Sequence, residues 1–379
     1  MRILLSATPI HGHILPLIPL ARAFRLRGDS VALMGAESAA SIIAGEDIEF
    51  LRAGAGVEVS VAEVLRTTGH DLFKGVTLET EAEFFAGARV DLTIEEAVAA
   101  ARAWEPDLIV SEHLDFVGPL TGAILGVPVA NLAYGPVLAA QSIEETTARV
   151  SKRYESRGLQ YEAARWYLDT CPPALQRPGW VAPENWIGIQ PQAHRAAGQV
   201  PPARVERGEG RPRVLVTAGT SYAAPEVVSP LLRELLKQDI DVRVTLNRAS
   251  AEDFDVDVAA VGGLEFVGFT PLAELLRDVD VVVTHGGAGT VLGALAEGLP
   301  MVVVPQGADQ PVQAERVGAA GAGIAFPMGE APPQKVADAV RTVLAEPSYR
   351  TVAEKIATEI ADYNTPAEVA ERLASAISR

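Results

Sequence analysis

Residues 281–290, VVVTHGGAGT, join a run of valines to a glycine-rich turn, and they decide how the second half of the chain is interpreted. The valine-rich run is typical of a strand that is buried on both faces of a parallel sheet. Apolar residues then recur at helical spacing from Val291 to Glu297, and Gly298 follows where helices commonly end. The stretch therefore predicts a strand, a tight turn and the N-terminus of a helix.

The predicted turn has the properties of a phosphate-binding site. Glycines let backbone N–H groups approach an anion, and a helix N-terminus carries about half a positive charge. A second strand-to-loop segment, residues 214–221 with the sequence VLVTAGTS, is predicted to donate to the same diphosphate through Gly219, Thr220 and Ser221. The candidate contacts in the first turn are His285, Gly286, Gly287, Ala288, Gly289 and Thr290.

Strand-like and helix-like segments alternate throughout the chain. This alternation predicts an α/β protein with two doubly wound, parallel-sheet domains. Ligands of such sheets bind at the carboxyl ends of the strands, so we expect the active site in a cleft between two facing domains. The clearest predicted strands are residues 2–7, 30–34, 107–111, 213–217, 242–246, 279–284 and 301–305.

A Gly- and Pro-rich, aperiodic stretch interrupts the alternation at residues 198–212. Such a composition is typical of a linker. We therefore assign residues 1–197 to an N-terminal domain and residues 213–379 to a C-terminal domain. The last predicted helix, at the end of residues 349–378, is a candidate to pack back on the N-terminal domain.

Composition excludes several classes of protein. The 379 residues carry a formal net charge of −17, which argues against nucleic acid and against an anionic membrane surface as partners. The single cysteine, Cys171, rules out a disulfide within the chain. The apolar run at residues 3–5 is too short for a signal peptide, and no window approaches the ~20 apolar residues of a membrane span. We therefore expect a cytoplasmic protein.

Other phosphate-binding and catalytic motifs are missing from the sequence. There is no G-x-x-x-x-G-K-[ST] motif, which excludes a P-loop NTPase. No G-x-G-x-x-G follows the first strand, which disfavours a dinucleotide-dependent dehydrogenase. The G-x-S-x-G nucleophile elbow of hydrolases is also missing.

The remaining motifs resemble those of family 1 glycosyltransferases, which have the GT-B fold. Residues 285–290, HGGAGT, followed by Pro305-x-x-x-Asp309-Gln310, resemble the donor signature of that family. Residues 12–16, GHILP, resemble its acceptor loop, and residues 269–272, FTPL, resemble its aromatic-x-P segment. Order and spacing match over nearly the whole chain. The chain looks most similar to bacterial enzymes that attach deoxysugars to polyketide, macrolide, enediyne or aromatic natural products.

The resemblance implies roles for residues of the C-terminal domain, which would bind the nucleotide-sugar donor. His285 would contact the diphosphate together with the glycines around it. Asp309 and Gln310 would bind sugar hydroxyls. Phe269 stands where the family usually has Trp and would stack on the nucleobase, although it lacks the indole N–H.

One departure from the family pattern concerns the nucleotide. Plant members, which use UDP-sugars, carry a Glu eight residues after the signature His, and that Glu is held to bind ribose hydroxyls. Gly293 occupies this position here. A site without this carboxylate favours a dTDP-sugar, whose deoxyribose lacks the 2′-hydroxyl, over a UDP-sugar.

The resemblance also places the catalytic residues in the N-terminal, acceptor-binding domain. Transfer to a hydroxyl needs a base, and histidine titrates near neutral pH. His13 is the leading candidate and His11 the reserve. The family usually supplies an Asp after the P-D-L strand to orient the base, and here the strand leads to Glu112. One displacement at the anomeric carbon would invert it.

No metal or other cofactor is expected, with the dTDP-sugar acting as co-substrate. Two D-x-D pairs could suggest a metal-dependent transferase, but such pairs recur by chance in an acidic chain. These pairs are Asp253/Asp255 and Asp278/Asp280.

An apolar wall for the acceptor is predicted from the less regular segments at residues 54–86 and 134–167. We expect contacts to a hydrophobic acceptor from Phe73, Phe84 and Tyr134, with His11 nearby. From the sequence alone, ordinary core packing explains the presence of these aromatic residues equally well.

Several alternatives to the dTDP-sugar transferase are open on the sequence. They are a UDP-sugar-dependent transferase, a nucleotide-sugar epimerase of the same fold, a non-catalytic nucleotide-sugar binder and a transferase acting on a lipid-linked acceptor. The G-H-x-x-P loop, the Asp-Gln pair and the acidic charge favour transfer between a nucleotide-sugar and a hydrophobic small molecule. The sequence does not specify the sugar, the aglycone or O- versus C-transfer. It also leaves the oligomeric state open, with a homodimer as one candidate.

Overall fold

A computed structural model of the protein describes residues 1–199, 210–217, 225–246, 250–255, 263–268 and 270–377. The chain forms two compact units, each assembled from more than one segment. The first unit comprises Met1–Thr170, Gly179–Gln190 and Tyr363–Arg379, and the second comprises Cys171–Pro178 and Pro191–Asp362. The predicted linker at residues 198–212 lies largely outside the described residues.

The first unit is built on a sheet of seven parallel strands in the order β3-β2-β1-β4-β5-β6-β7. The order runs outward in opposite directions from β1 and β4, which makes it a doubly wound sheet. Its strands are β1 (Arg2–Ser6), β2 (Ser30–Gly35), β3 (Glu49–Arg52), β4 (Leu108–Glu112), β5 (Val129–Ala133), β6 (Trp166–Asp169) and β7 (Trp186–Gly188).

The second unit repeats this topology with six parallel strands in the order β10-β9-β8-β11-β12-β13. Its order reverses between β8 and β11. The strands are β8 (Arg213–Thr217), β9 (Asp241–Thr245), β10 (Leu264–Val267), β11 (Val281–Thr284), β12 (Met301–Val303) and β13 (Gly323–Ala325).

Helices connect the parallel strands in both units. A π-helical turn, Glu83–Ala88, lies between α4 and α5. The helices are α1 (His11–Ile14), α2 (Ile18–Leu26), α3 (Val57–Thr68), α4 (Leu78–Ala82), α5 (Arg89–Trp104), α6 (Val117–Leu125), α7 (Ala140–Glu155), α8 (Pro225–Leu235), α9 (Leu272–Leu275), α10 (Ala288–Ala296), α11 (Gln310–Ala320), α12 (Pro333–Ala345), α13 (Pro347–Ala361) and α14 (Pro366–Ile377). Among the described residues, no helix combines the length and apolar character needed to cross a membrane.

The valine run of β11 packs on both faces of its sheet. Val281 and Val283 lie in a core cluster with α8 and α12, whereas Val282 lies in a second cluster with α10, α11 and α13. Successive side chains of a strand point to opposite faces, so a strand covered by helices on both sides carries apolar residues at every position. The buried parallel strand predicted for this stretch is confirmed.

Some element bounds differ from the sequence prediction for identifiable reasons. Apolar residues at helical spacing predict a single helix from Ile14 to Arg27, but the structure divides it into α1, a 3₁₀ turn and α2, because Pro16 and Pro19 lack the N–H that an uninterrupted helix uses. Residues 126–130, GVPVA, are typical of a turn that leads into a strand, and β5 accordingly begins at Val129. Gly126 has a positive φ of 71° and ends α6, so the following residues only connect the helix to β5.

The C-terminal helix belongs to the first unit. The side-chain amide of Asn364 donates to the Gly188 carbonyl at the end of β7, at 2.9 Å. The Asn364 carbonyl in turn accepts from the Gln190 N–H at 2.9 Å. On α14 itself, Glu371 forms an ion pair with Arg27 at 3.2 Å. These contacts attach the last part of the chain to the edge and the helical layer of the first unit.

Candidate active site

The first unit brings His13 against the carboxylate of Glu112. His13 lies on α1, a few residues after β1, and Glu112 is the last residue of the neighbouring strand β4. The distance between His13 Nδ1 and Glu112 Oε1 is 2.9 Å. The sheet order reverses between these two strands, so the pair lies at the switch point where doubly wound sheets bind ligands.

Glu112 is held as an anion in the interior. Its side chain is 0% exposed. The Thr8 N–H and hydroxyl donate to Oε1 at 3.2 and 2.9 Å, and the Leu114 N–H donates to Oε2 at 2.6 Å. Burial by itself raises the pKa of a carboxyl, but the nearby His13 and His113 and the Leu114 N–H outweigh it and lower the pKa of Glu112 to about 2.

The ionised carboxylate determines which nitrogen of His13 carries the proton. A carboxylate only accepts, so Nδ1 holds the hydrogen and donates it to Glu112. The Tyr134 oxygen, 2.7 Å from the same nitrogen, then acts as a second acceptor. Nε2 is left without a proton and can take one from a bound hydroxyl. The next histidine, His113, stacks on Tyr134, and burial lowers its pKa to about 4, so it is uncharged at neutral pH.

The aromatic residues predicted for the acceptor wall have different positions. Phe84 is 7% exposed and fills a small core with Val64 and Ala88. The half-buried Phe85, one residue later in the π-helical turn, has its ring 5.6 Å from the ring of His13. Phe85 is therefore the better candidate for an acceptor contact, and Phe84 is a core residue.

The remaining predicted acceptor contacts are Tyr134, His11 and Phe73. Tyr134 is 8% exposed, and its hydroxyl contacts His13. His11 is exposed, beside the 38% exposed Ile10. The prediction for Phe73 concerns a side chain outside those that the structure describes.

In the second unit, the glycine-rich turn leads from β11 directly into α10, as the sequence predicts. Gly286 has a φ of 92°, which favours glycine, and its N–H donates to the Thr284 hydroxyl at 3.1 Å. Gly287 precedes α10, whose first turn contains Ala288, Gly289 and Thr290. The first N–H groups of a helix have no partner within the helix, so this end of α10 can bind an anion.

His285 packs closely on this turn. It follows β11 and forms a hydrogen bond with the backbone of Thr217, the last residue of the adjacent strand β8. Burial lowers the pKa of His285, so its ring is neutral at neutral pH. A neutral imidazole has one N–H to donate, and this one is directed to Thr217. The anion-binding capacity of the turn therefore comes chiefly from backbone N–H groups.

Two glycines of the turn make a matched pair for mutation. A Cβ on Gly287 would lie 2.7 Å from His285 Nε2, whereas a Cβ on Gly289 would have no neighbour within 4 Å. We expect Gly287→Ala to lower the free energy of unfolding by about 1–2 kcal/mol, because the imidazole or the turn must move. Gly289→Ala should raise it by up to about 1 kcal/mol, because alanine favours the helix. Urea denaturation of both variants measures the difference, and equal effects would contradict the packing described.

The Asp-Gln pair at the start of α11 has two different roles. Asp309 is exposed, and its carboxylate accepts from Gln313 Nε2 at 3.4 Å. Gln310 is 3% exposed, and its Oε1 accepts from the N–H groups of Gln306 and Gly307 at 2.8 and 3.1 Å. Gln310 thus holds the preceding loop, and only its amide N–H₂ is left for a ligand.

Four predicted donor contacts, Gly219, Thr220, Ser221 and Phe269, lie outside the described residues. Gly293, by contrast, lies on α10. A Cβ at this position would lie 3.1 Å from Ala193 Cβ and 3.2 Å from Leu272 Cδ2. This close packing leaves no room for the longer carboxylate side chain that other members of the resembled family carry here.

The acidic D-x-D pairs have structural partners. Asp278 forms ion pairs with Arg213 and Arg243, and Asp280 accepts from the Arg213 N–H at 2.8 Å. Across the described ranges, no group of three or more His, Cys, Asp or Glu side chains is arranged to hold a metal ion.

Comparison with known proteins identifies the family. The profile of the N-terminal domain of erythromycin biosynthesis protein CIII-like proteins matches residues 38–219, and that of the C-terminal domain matches residues 229–376. The elloramycin glycosyltransferase of Streptomyces olivaceus is 30% identical, over 99% of this chain and 97% of that protein. The chain belongs to the erythromycin biosynthesis protein CIII-like family of glycosyltransferases.

Further relatives agree with this assignment. The 3-alpha-mycarosylerythronolide B desosaminyl transferase of Saccharopolyspora erythraea is 26% identical, over 97% of this chain and 96% of that protein. The solved structure of a glycosyltransferase of Streptomyces sp. SF2575, complexed with thymidine diphosphate, superimposes with a TM-score of 0.79 at 26% identity. It covers 99% of both chains. The chain is thus a glycosyltransferase with the GT-B fold.

The structure adds Thr8 and Arg89 to the candidate site, which the sequence patterns did not select, and it favours Phe85 within the predicted wall segment at residues 54–86. Phe85 contacts His13, and Thr8 and the buried Arg89 adjoin Glu112 and Asp115. Thr8 lies in the short segment between β1 and the predicted base His13, so its position in the sequence offered a signal. Arg89 is 81 residues away from Thr8 in the sequence, and no local pattern connects the two.

Proposed function

We propose that this glycosyltransferase moves a deoxysugar from a dTDP-sugar to a hydroxyl of a hydrophobic small-molecule natural product, with inversion at the anomeric carbon. The observation that carries the proposal is the contact of His13 with the buried Glu112 anion at the end of β1 and β4. A histidine in this arrangement is a general base for a hydroxyl.

The reaction then proceeds as a single displacement. The acceptor hydroxyl gives its proton to His13 Nε2 as its oxygen forms a bond to the anomeric carbon. The bond from that carbon to the diphosphate breaks at the same time, and dTDP leaves with the electron pair. Glu112 stabilises the imidazolium, and the N-terminus of α10 stabilises the leaving diphosphate.

Two observations support dTDP as the nucleotide. The space around Gly293 is filled by Ala193 and Leu272, so no carboxylate stands there to bind a ribose 2′-hydroxyl. The related glycosyltransferase of Streptomyces sp. SF2575 was solved with thymidine diphosphate. Two of the relatives are named as an elloramycin glycosyltransferase and a 3-alpha-mycarosylerythronolide B desosaminyl transferase, and these names support an acceptor from antibiotic biosynthesis.

The nucleotide proposal predicts a difference in ligand-induced stabilisation. We expect dTDP to raise the melting temperature more than UDP at equal concentration, since a ligand at 100 times its Kd adds about 2.7 kcal/mol to the free energy of unfolding. Differential scanning fluorimetry over a concentration series measures this. Deoxyuridine diphosphate separates the two chemical differences, because it lacks both the 2′-hydroxyl and the 5-methyl group. Equal or greater stabilisation by UDP would contradict the proposal and favour a UDP-sugar donor.

A further inference from the structure

A chain of buried polar groups extends behind Glu112. Arg89, the first residue of α5, donates from Nη1 to the Thr8 hydroxyl at 2.6 Å. The Thr8 hydroxyl is 2.9 Å from Glu112 Oε1, the same oxygen that faces His13. Arg89 is 5% exposed and Thr8 is 0% exposed, so water does not compete for these contacts. A continuous path of hydrogen bonds therefore connects a buried guanidinium to the histidine.

The direction of these hydrogen bonds is determined by chemistry. A guanidinium can only donate, and a carboxylate can only accept. The Thr8 hydroxyl must therefore accept from Arg89 and send its own hydrogen to Glu112 Oε1. This orientation leaves the Thr8 hydroxyl no second arrangement, and the carboxylate oxygen receives hydrogen bonds from two sides, Thr8 and His13.

Arg89 is itself anchored by a second buried carboxylate. Its Nη2 lies 3.2 Å from Asp115 Oδ1, and the same nitrogen donates to the Ala7 carbonyl at 3.3 Å. Asp115 Oδ2 accepts from the Ser6 hydroxyl at 2.6 Å and from the Gly118 N–H at 3.0 Å. The guanidinium is thus fixed by groups in the loops after β1 and β4, and Asp115 is held in turn by Ser6 of β1 and Gly118 of α6.

A fixed anchor matters here because the carboxylate is that of a glutamate. Glutamate has one more rotatable bond than aspartate, so its carboxylate samples more positions unless hydrogen bonds restrict it. Small displacements between reacting groups are costly: about 1 Å can lower a rate about 10²-fold. Thr8, through its N–H and its hydroxyl, supplies two of the contacts that restrict Oε1.

We propose that Thr8 and Arg89 are positioning residues that hold the Glu112 carboxylate in the geometry in which it orients His13 and stabilises its cation. The proposal rests on the role of His13 as the general base. Thr8 and Arg89 touch no reacting atom and act only through Glu112.

The charged and titratable groups around His13 determine the expected pH effect. Glu112 faces it from β4, and Tyr134 and His113 follow β5 and β4. The Arg89–Asp115 pair lies behind Glu112. Removing the Thr8 hydroxyl takes one donor from Oε1, so the carboxylate binds the imidazolium proton more tightly. The acid limb of the pH profile of kcat/KM should then move to higher pH.

The test is the near-isosteric variant Thr8→Val, compared with Thr8→Ser, which restores a hydroxyl. We expect Thr8→Val to lower kcat/KM for the acceptor about tenfold at neutral pH and to displace the acid limb upward. Thr8→Ser should recover most of the wild-type kcat/KM and most of the wild-type position of the acid limb. Thr8→Ala provides a second variant without the hydroxyl if valine impairs folding. The dTDP-induced rise in melting temperature should be unchanged in all three, because they leave the second unit intact.

A matched control is available on α6. The Thr121 hydroxyl is buried and forms no hydrogen bond within the described part of the chain. Thr121→Val removes the same atoms from the same unit without touching the polar path, so it should leave kcat/KM and the pH profile as they are. If Thr121→Val changed the kinetics as Thr8→Val does, the effect would be a general packing defect and the proposal would be overturned.

The His13→Ala background separates this proposal from the assignment of the base. If Thr8 acts through His13, Thr8→Val should add no further loss to His13→Ala. An additional loss of kcat/KM in the double variant would overturn the positioning role alone. So would a Thr8→Val protein with the wild-type pH profile of kcat/KM while His13→Ala is inactive. Near-normal turnover of His13→Ala would instead refute the base itself.

Discussion

Replacement of His13 by alanine is expected to lower kcat/KM for the acceptor about 10³-fold, within the range that a general base contributes. The acceptor hydroxyl then has no group to take its proton as the glycosidic bond forms. Binding of dTDP should be unchanged, because His13 belongs to the first unit and the anion-binding turn to the second. Steady-state kinetics with purified donor and acceptor, together with dTDP-induced thermal stabilisation, measures both quantities.

The neighbouring histidine provides the control for this experiment. His11 is exposed on the same short helix, whereas His13 is the one that contacts Glu112. We expect His11→Ala to retain kcat, with any loss confined to the KM of the acceptor. A His11→Ala protein that loses kcat while His13→Ala retains it would transfer the role of the base to His11. Near-normal turnover of both variants would show that neither is the base.

The sequence predicted those parts of the site that depend on local patterns and on sheet topology. The valine run followed by glycines predicted β11 and the start of α10, because only glycine adopts the positive φ of Gly286 readily. His13 and Glu112 were selected by the resemblance to family 1 glycosyltransferases, and the sheet topology explains why they meet, because the carboxyl ends of β1 and β4 lie at the switch point of a doubly wound sheet. These features require no knowledge of side-chain packing between distant segments.

The remaining parts of the candidate site depend on side-chain packing between distant segments, and the sequence did not predict them. Phe84 and Phe85 are equivalent in a hydrophobicity pattern, but the π-helical turn at Glu83–Ala88 changes the direction of successive side chains relative to an α-helix. That turn buries Phe84 and presents Phe85 to His13. Spacing along the chain does not reveal such a turn.

Arg89 and Gln310 illustrate the same limit for polar residues. A buried arginine is rare, and the partners of Arg89, which include Thr8, Asp115 and the Ala7 carbonyl, are remote in sequence. The family motif predicts that Gln310 binds the sugar, yet its Oε1 already accepts from two backbone N–H groups of the adjacent loop. A motif identifies the residue, and only the folded loop shows which of its atoms are occupied.

Replacement of Glu112 by glutamine is expected to lower kcat/KM by about 10³-fold, comparable to the loss of the base itself. The shape of the side chain is preserved, but a neutral amide replaces the carboxylate. The N–H and hydroxyl of Thr8 both donate to the oxygen that faces His13, so the amide oxygen takes that position and its N–H₂ is placed against the Leu114 N–H, which is also a donor. The imidazolium would also lose its stabilising anion, so the acid limb of the kcat/KM profile should move to lower pH, opposite to Thr8→Val.

The same substitution changes how stability depends on pH. The folded pKa of Glu112 is lowered to about 2 from 4.5, so its ionisation stabilises the folded state fully above 4.5 and loses that contribution as the pH falls towards 2. Wild-type protein should therefore lose free energy of unfolding more steeply than Glu112→Gln between pH 5 and the acid limit of folding, as measured by urea denaturation.

Glu112→Asp is the control: it retains the charge but shortens the side chain, so it should keep the acid-dependent stability in part and fall between the wild type and Glu112→Gln in kcat/KM. If Glu112→Gln matched the wild type in both its kinetics and its acid profile, Glu112 would be neither ionised nor coupled to His13.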